Sequence, residues 1–189
     1  MAESLIVVLP GGGYGPLGPA LRFPILACLQ VSDGPTFEVT YPQTREDSPI
    51  ATRLEMMNTA VSQQVHAAME HSPAASVVVI AKSLGTRALA AIAPTLPTDR
   101  RISAVWLTPL FGVDEVRTAA MRAGLRSLIV AGTADPYHDQ VGFDAVSTAL
   151  VADTLLIPDA DHSLEVPGNV FATLEAMRSL SSAVLDFAR

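Results

Sequence analysis

The sequence is poor in cysteine and in long apolar runs, and each shortage excludes a class of protein. Its single cysteine, Cys28, cannot form an internal disulfide, which fits a reducing compartment. No apolar run reaches the roughly 18 residues that a membrane-spanning helix needs. The N-terminal "MAESLIVVLPGGG" also lacks the basic start of a signal peptide. We therefore expect a cytoplasmic, soluble protein with no membrane partner.

Charged residues make up only 16% of the chain, and their balance is acidic. The formal net charge of -7 argues against nucleic acid as a partner, because a polyanion repels an acidic protein. Small neutral molecules remain open as partners, and no feature indicates an oligomeric state. The 49% hydrophobic content indicates a globular, core-rich protein. Without repeats or linkers, residues 1–189 predict a single domain.

Short apolar runs alternate with amphipathic stretches along the chain, a pattern typical of a parallel sheet with helices on both faces. Most candidate strands are continuously apolar, as strands buried on both faces should be. The predicted strands are 4–10, 36–42, 75–81, 101–108, 126–132 and 153–158.

Helices are predicted between these strands. Residues 50–70 carry an apolar stripe at the helical period, formed by Ile50, Leu54, Met57, Val61, Val65 and Ala68. The C-terminal helix, starting near Pro167 or Asn169, has a stripe formed by Val170, Leu174, Met177, Val184 and Phe187. Another helix is expected after Ser83, and Pro94 should end it. Further helices are expected at 113–123, at 138–151 and around Cys28. The thiol of Cys28 should be buried.

The stretch "AKSLGT", residues 81–86, places Ser83 where a buried strand turns into a helix. A small residue at a tight turn would explain such a serine equally well. Other groups follow the ends of three further strands: "GGGYG" after the first, Asp135 after the fifth and His162 after the sixth. Catalytic groups in open α/β sheets gather beyond the carboxyl ends of the strands. All four groups should therefore lie at one edge of the sheet.

This arrangement resembles the α/β-hydrolase superfamily, whose nucleophile elbow is a small-x-Ser-x-Gly turn and whose triad runs Ser, Asp or Glu, then His. Residues 81–85 match the elbow, with Ala81 where most members have glycine, a variant that small bacterial lipases share. The resemblance covers nearly the whole chain. It implies a three-layer α/β fold with a mostly parallel six-stranded sheet. The stretch "PLFGVDEVRTAAMRAGL" leaves no room for a cap domain, so we expect an open, shallow site.

The resemblance assigns roles to the three side chains. Ser83 is the nucleophile, His162 the general base that accepts its proton, and Asp135 the acid that holds the imidazole in the right tautomer. Asp114 and Asp139 are alternatives for the orienting acid.

The resemblance also implies an oxyanion hole of backbone N–H groups. One donor is Leu84, the residue after the nucleophile, and the other comes from the Gly11–Gly13 loop. Gly12 and Gly13 are the preferred candidates because glycines allow close approach to a substrate oxygen. The sequence does not choose between them or exclude Tyr14.

Several polar residues have competing interpretations. His66 and His71 suit a solvated helix face, and His138 could be a pocket residue. Asp159 and Asp161 lie beside the last histidine, but their spacing matches no known metal site, so we expect neither a metal nor another cofactor.

Lys82, next to the nucleophile, is expected to pair with a carboxylate and to support the turn. Tyr14, Phe111 and Tyr137 fall on loops at the predicted active edge. They are candidates for pocket lining as much as for structural roles.

The function implied is that of a serine hydrolase that cleaves small carboxylic esters or related acyl compounds through an acyl-enzyme. A peptidase or a thioesterase could use the same triad. A binding protein that retains the fold without the chemistry is the alternative from another class.

Overall fold

The computed structural model describes residues 3–44 and 47–189. Its strands are β1 (Ser4–Leu9), β2 (Thr36–Glu38), β3 (Ser76–Lys82), β4 (Arg101–Leu107), β5 (Arg126–Gly132) and β6 (Asp153–Ile157). They form one sheet in the order β2-β1-β3-β4-β5-β6, and every neighbouring pair is parallel. The sheet is therefore wholly parallel, and each strand overlaps a predicted one.

The helices are α1 (Pro19–Leu29), α2 (Ile50–Glu70), α3 (Leu84–Ile92), α4 (Asp114–Ala123), α5 (Gln140–Leu150) and α6 (Val170–Ala188). A 3-10 turn with Pro94 at its centre follows α3, so this helix ends where proline was expected to end it. The side chain of Asn169 caps α6 by accepting a hydrogen bond from the Ala172 N–H. In the described part of the chain, no helix is long and apolar enough to cross a membrane.

The hydrophobic core has one layer on each face of the sheet. Leu5, Val7 and Leu9 of β1 pack in the layer that includes α2, α3, α4 and α5. Ile6 and Val8 point the other way, into the layer of α1 and α6. Because both faces are covered, both sets of alternating side chains are apolar, which explains the unbroken apolar runs of the sequence.

The strand predicted at 36–42 is shorter than expected. Val39 still donates a hydrogen bond to the Val8 carbonyl, but Thr40 turns away and bonds to the side chain of Gln64 on α2. The chain leaves the sheet at this point because a helix side chain takes over its backbone partners.

In two helices, the first residues of the predicted apolar stripe are exposed and not buried. Ile50 on α2 is 66% exposed, and Val170 and Leu174 on α6 are 64% and 58% exposed. The first fully buried positions are Met57 and Ala176, so the first turns of both helices lie ahead of the part that packs on the sheet.

Residues 108–113 alone join β4 to α4, where larger proteins of this architecture insert a cap domain. The prediction of a fold without a cap is confirmed. The carboxyl edge of the sheet therefore has no second domain above it in the described residues.

Candidate active site

The turn between β3 and α3 holds Ser83 in a strained backbone conformation. Its φ of 51° lies in a region that favours glycine. The Ser83 N–H donates to the Leu107 carbonyl at 3.0 Å, and its own carbonyl accepts from the Thr86 N–H at 2.9 Å and the Thr86 hydroxyl at 2.6 Å. These bonds hold the strained turn in place and present the serine at the start of α3.

The small residues on either side of Ser83 have a clear steric reason. A Cβ added at Gly85 would lie 2.1 Å from the carbonyl oxygen of Leu9, because α3 packs directly against the end of β1. Ala81 is fully buried within the sheet, between Leu9 and Trp106 of the neighbouring strands. The turn therefore accepts alanine at the first position and requires glycine at the last.

The three side chains predicted as a triad lie in one hydrogen-bonded row. The Ser83 hydroxyl and His162 Nε2 are 2.7 Å apart, and His162 Nδ1 and Asp135 Oδ2 are 2.8 Å apart. Asp135 Oδ1 also accepts the Tyr137 N–H at 2.8 Å. Strands β3, β5 and β6 supply one member each, so the parallel sheet brings together residues up to 79 positions apart.

Asp135 is ionised in this arrangement. Its side chain is only 2% exposed, and burial by itself raises the pKa of the carboxyl. The hydrogen bonds from His162 and from the Tyr137 N–H outweigh burial, so the pKa lies below its ordinary value. A carboxylate at this place accepts the Nδ1 proton of His162, which leaves Nε2 free to accept the proton of Ser83.

A cavity of about 490 Å³ opens in front of Ser83. It is lined by Gly11, Gly12, Gly13, Tyr14, Lys82, Ser83, Leu84, Leu110, Tyr137, His162 and Ser163. These residues come from the loops after β1, β3, β4, β5 and β6, as expected for a site at the carboxyl edge of a parallel sheet.

Three backbone N–H groups beside the serine have no hydrogen-bond partner among the described residues: those of Gly12, Gly13 and Leu84. The Tyr14 N–H instead donates to the Gly11 carbonyl at 3.4 Å, so it is not available to a substrate. A Cβ on Gly12 would lie 3.7 Å from Leu84 Cδ2, which shows that the two loops meet at the cavity. Leu84 is also the first residue of α3, where the helix dipole favours negative charge.

Of the three aromatic candidates for pocket lining, two reach the cavity and one does not. Tyr14 and Tyr137 line it, and the ring of Tyr137 meets the imidazole of His162 edge-on at 4.8 Å. Phe111 is wrong as a pocket residue: it is 1% exposed and packs against Trp106 in the core. Its neighbour Leu110 lines the cavity instead, and no signal in the sequence distinguishes the two positions.

The alternative acids are used elsewhere. Asp114 pairs with Arg117 at 2.6 Å on the surface of α4. Asp139 caps α5 by accepting the Gly142 N–H at 2.8 Å. Neither contacts His162.

The other histidines also lie outside the cavity lining. Both ring nitrogens of His66 lie 2.7 Å from carbonyl oxygens, those of Ser62 and Thr95, so this ring connects α2 to the turn after α3. His71 bonds to the Ala67 carbonyl, and His138 packs edge-on against Phe143.

Asp159 and Asp161, beside the last strand, do not form a metal site with other described side chains. Asp161 instead accepts hydrogen bonds from the backbone N–H groups of Ser163 and Glu165 and so shapes its own loop. Across residues 3–44 and 47–189, no three His, Cys, Asp or Glu side chains come together as a metal site would require.

Lys82 is almost completely buried, and the prediction of a carboxylate partner is wrong. Its Nζ donates to the His162 backbone carbonyl at 2.6 Å and to the Thr108 hydroxyl at 3.1 Å. It also lies 4.5 Å from the centre of the Tyr14 ring. The sequence could not name these partners because each belongs to a different loop.

No protein-family model matches the chain, and no curated protein sequence does. Several solved structures are similar in fold. Est1E from Butyrivibrio proteoclasticus, with ferulic acid bound, has a TM-score of 0.74 at 14% identity over 98% of this chain and 88% of its own. A protein from Xanthomonas campestris described as a hydrolase of the α/β superfamily has a TM-score of 0.64 at 19% identity over 96% of this chain and 97% of its own. Carboxyl esterase 2 from Tuber melanosporum has a TM-score of 0.62 at 15% identity over 98% of this chain and 76% of its own. At such low sequence identities, the similarity shows a shared fold alone.

Proposed function

The chain has the α/β-hydrolase fold, and from this premise we propose that it is a serine hydrolase that cleaves small carboxylic esters or related acyl compounds. The observation that carries the proposal is the hydrogen-bonded row of Ser83, His162 and Asp135 facing an accessible cavity. Fold alone would not support it, since one fold hosts many functions.

In the acylation step, Ser83 attacks the ester carbonyl and its proton passes to His162 Nε2. Asp135 stabilises the imidazolium that forms. The imidazolium then protonates the departing alcohol, which leaves an acyl-enzyme on Ser83. Water attacks this intermediate with His162 again as base, and the carboxylic acid is released.

Negative charge on the carbonyl oxygen during both steps is stabilised by backbone N–H groups. Leu84 supplies one, and Gly12 is our preferred second donor because it lies next to Leu84 at the cavity. One donor of this kind is worth about 2.7 to 4 kcal/mol of transition-state stabilisation.

The shape of the cavity supports a small or extended acyl group. Apart from the nucleophile loop, the lining is mostly glycine, leucine and tyrosine, and the exposed fraction of Tyr137 is 62%. Among the similar structures are an esterase with ferulic acid bound and a carboxyl esterase, so an aromatic ester belongs among the first substrates tested.

The test is the hydrolysis of p-nitrophenyl esters from acetate to octanoate, together with methyl ferulate, by the wild type and by Ser83→Ala. We expect ester hydrolysis that Ser83→Ala abolishes, and labelling of Ser83 by a fluorophosphonate. Thioester and peptide substrates run in parallel show whether a thioesterase or a peptidase describes the enzyme better. If a folded wild type hydrolyses none of these and resists the fluorophosphonate, the proposal is wrong and the binding-protein alternative is favoured.

A further inference from the structure

Lys82 is the only lysine in the sequence, and it directly precedes the nucleophile Ser83. Most lysines lie on protein surfaces, yet this one is 1% exposed. The proposed chemistry makes no use of its ammonium group. A buried charge beside a reactive serine needs its own explanation.

The contacts of Lys82 join three loops of the site. From the end of β3, its Nζ reaches the His162 carbonyl in the loop after β6 and the Thr108 hydroxyl directly after β4. The same group lies against the face of Tyr14 in the loop after β1. An ammonium has three protons, and in this structure it makes two hydrogen bonds and one cation–π contact.

Each of these contacts has a consequence for the proposed site. The His162 carbonyl belongs to the residue whose imidazole must stay in line with Ser83 and Asp135. Tyr14 closes the glycine loop through paired backbone bonds with Gly11, so a contact with the Tyr14 ring also touches the residue that ends the turn carrying Gly12 and Gly13.

Stability alone does not account for this lysine. Burial of an ammonium without a contacting carboxylate is unfavourable, and an apolar residue of similar volume is often neutral or stabilising at such places. Burial lowers the pKa of Lys82 to about 8, although the nearby carboxylates of Asp135 and Asp161 act in the opposite direction.

We propose that Lys82 is a positioning residue, whose ammonium holds the backbone of His162 and the ring of Tyr14 so that general base and oxyanion loop keep their alignment with Ser83. The inference rests on the proposed function. It also predicts how the site responds to pH, because an ammonium that loses its proton loses its charge and one hydrogen-bond donor.

The sign of this response follows from the groups around Nζ. Tyr14, Asp135, Asp161 and His162 are the titratable groups that face or influence it, and Asp135 is ionised well below neutral pH. The charge of Lys82 is therefore present at pH 7 and is lost near pH 8. We expect kcat to fall on the alkaline side of this pH, with little change in KM.

The main variant is Lys82→Met, which is unbranched like lysine and shorter only by the terminal nitrogen, and which removes the charge and the donors. The matched control is Val184→Ala, a fully buried position of α6 that loses packing without contacting the site. We expect Lys82→Met to lose about 10²-fold in kcat, the cost of a small misplacement of reacting groups. Its kcat should also lack the alkaline fall, whereas Val184→Ala should keep both the wild-type kcat and the wild-type pH profile.

Two measurements do not depend on ester turnover. The proton of His162 Nδ1, bonded to Asp135, gives a low-field NMR resonance that should persist in Ser83→Ala and Val184→Ala and disappear in Lys82→Met. Because the chain has one lysine, [13C]lysine labelling gives a single ε-carbon resonance whose midpoint is the pKa of Lys82 in the wild type.

The inference is overturned if Lys82→Met retains both the wild-type kcat and the low-field resonance, or if the lysine midpoint differs from the alkaline fall in kcat. Should Lys82→Met fail to fold, Thr108→Val removes one acceptor of the ammonium. It must then move the lysine midpoint and the alkaline fall downward together. A wild type without hydrolase activity refutes the proposed function, while the low-field resonance still decides whether Lys82 positions His162.

Discussion

Gly85→Ala should destabilise the protein and disable the nucleophile turn through a single added carbon. That carbon would lie 2.1 Å from the Leu9 carbonyl oxygen and 2.7 Å from its carbon, well inside the 3.4 Å at which ordinary contacts begin. The neighbouring atoms are backbone within the sheet and cannot rotate away. The first turn of α3 must therefore move away from β1, and Ser83 moves with it.

The size of the effect follows from this contact. Overpacking of a rigid site costs about 1–3 kcal/mol, and we expect the upper end because backbone atoms form the obstacle. For a chain of this length, about 3 kcal/mol lowers Tm by roughly 6–12 °C. Gly15→Ala is the matched control, since nothing lies within 4 Å of its added carbon and the residue is exposed.

The assay combines thermal unfolding with the rate at which a fluorophosphonate labels Ser83. We expect a lower Tm and slower labelling for Gly85→Ala, and wild-type values for Gly15→Ala. If Gly85→Ala matched the control in both measurements, the close packing of α3 against β1 would not be what shapes the turn.

Three further predictions address the acid, a distant histidine and the aromatic residues. Asp135→Asn should lower kcat by about 10⁴-fold while Tm changes little, because the imidazole would adopt the wrong tautomer; a loss below tenfold in ester hydrolysis would contradict this role. Two carbonyl acceptors, first that of Ser62 and then that of Thr95, raise the pKa of His66, so its stabilising contribution is complete below its unfolded pKa of about 6.5 and is lost as pH rises through the folded pKa. Urea unfolding should therefore show a larger cost of His66→Gln at pH 6 than at pH 9, and equal costs would refute the two-carbonyl contact. Phe111→Ala should cost about 3–5 kcal/mol of stability as a buried core residue, whereas Tyr137→Ala should leave the urea midpoint unchanged and alter KM.

Much of the fold could be predicted from local pattern. The four central strands follow from runs such as "SVVVI", because a strand covered on both faces is apolar at nearly every position. The parallel direction of the strands follows from the helices between them. Asn169 marks the start of one helix and Pro94 the end of another, as predicted. The α/β-hydrolase fold implied by residues 81–85 together with the order of Ser83, Asp135 and His162 is the fold that the similar structures share.

Some of the predictions that failed concern which of two nearby side chains is buried in the core and which is exposed. Phe111 and Leu110 are adjacent, and only the packed sheet turns one into the core and the other into the cavity. The same holds for Val170 and Leu174, whose apolar character suits a stripe, although both side chains are more than half exposed because the buried part of α6 begins at Ala176.

The sequence by itself determined the alternation of strands and helices, the strained turn around Ser83 and the candidate acid and base, because these depend on residue type and order along the chain. Only the tertiary structure decided that Asp114 and Asp139 are engaged elsewhere, that the Tyr14 N–H is occupied, and that Lys82 meets a carbonyl, a hydroxyl and an aromatic ring. The physical reason is that hydrogen bonds and close contacts form between loops that are distant in sequence. The geometry of the packed sheet decides which groups of these loops meet, and the local sequence pattern does not contain that information.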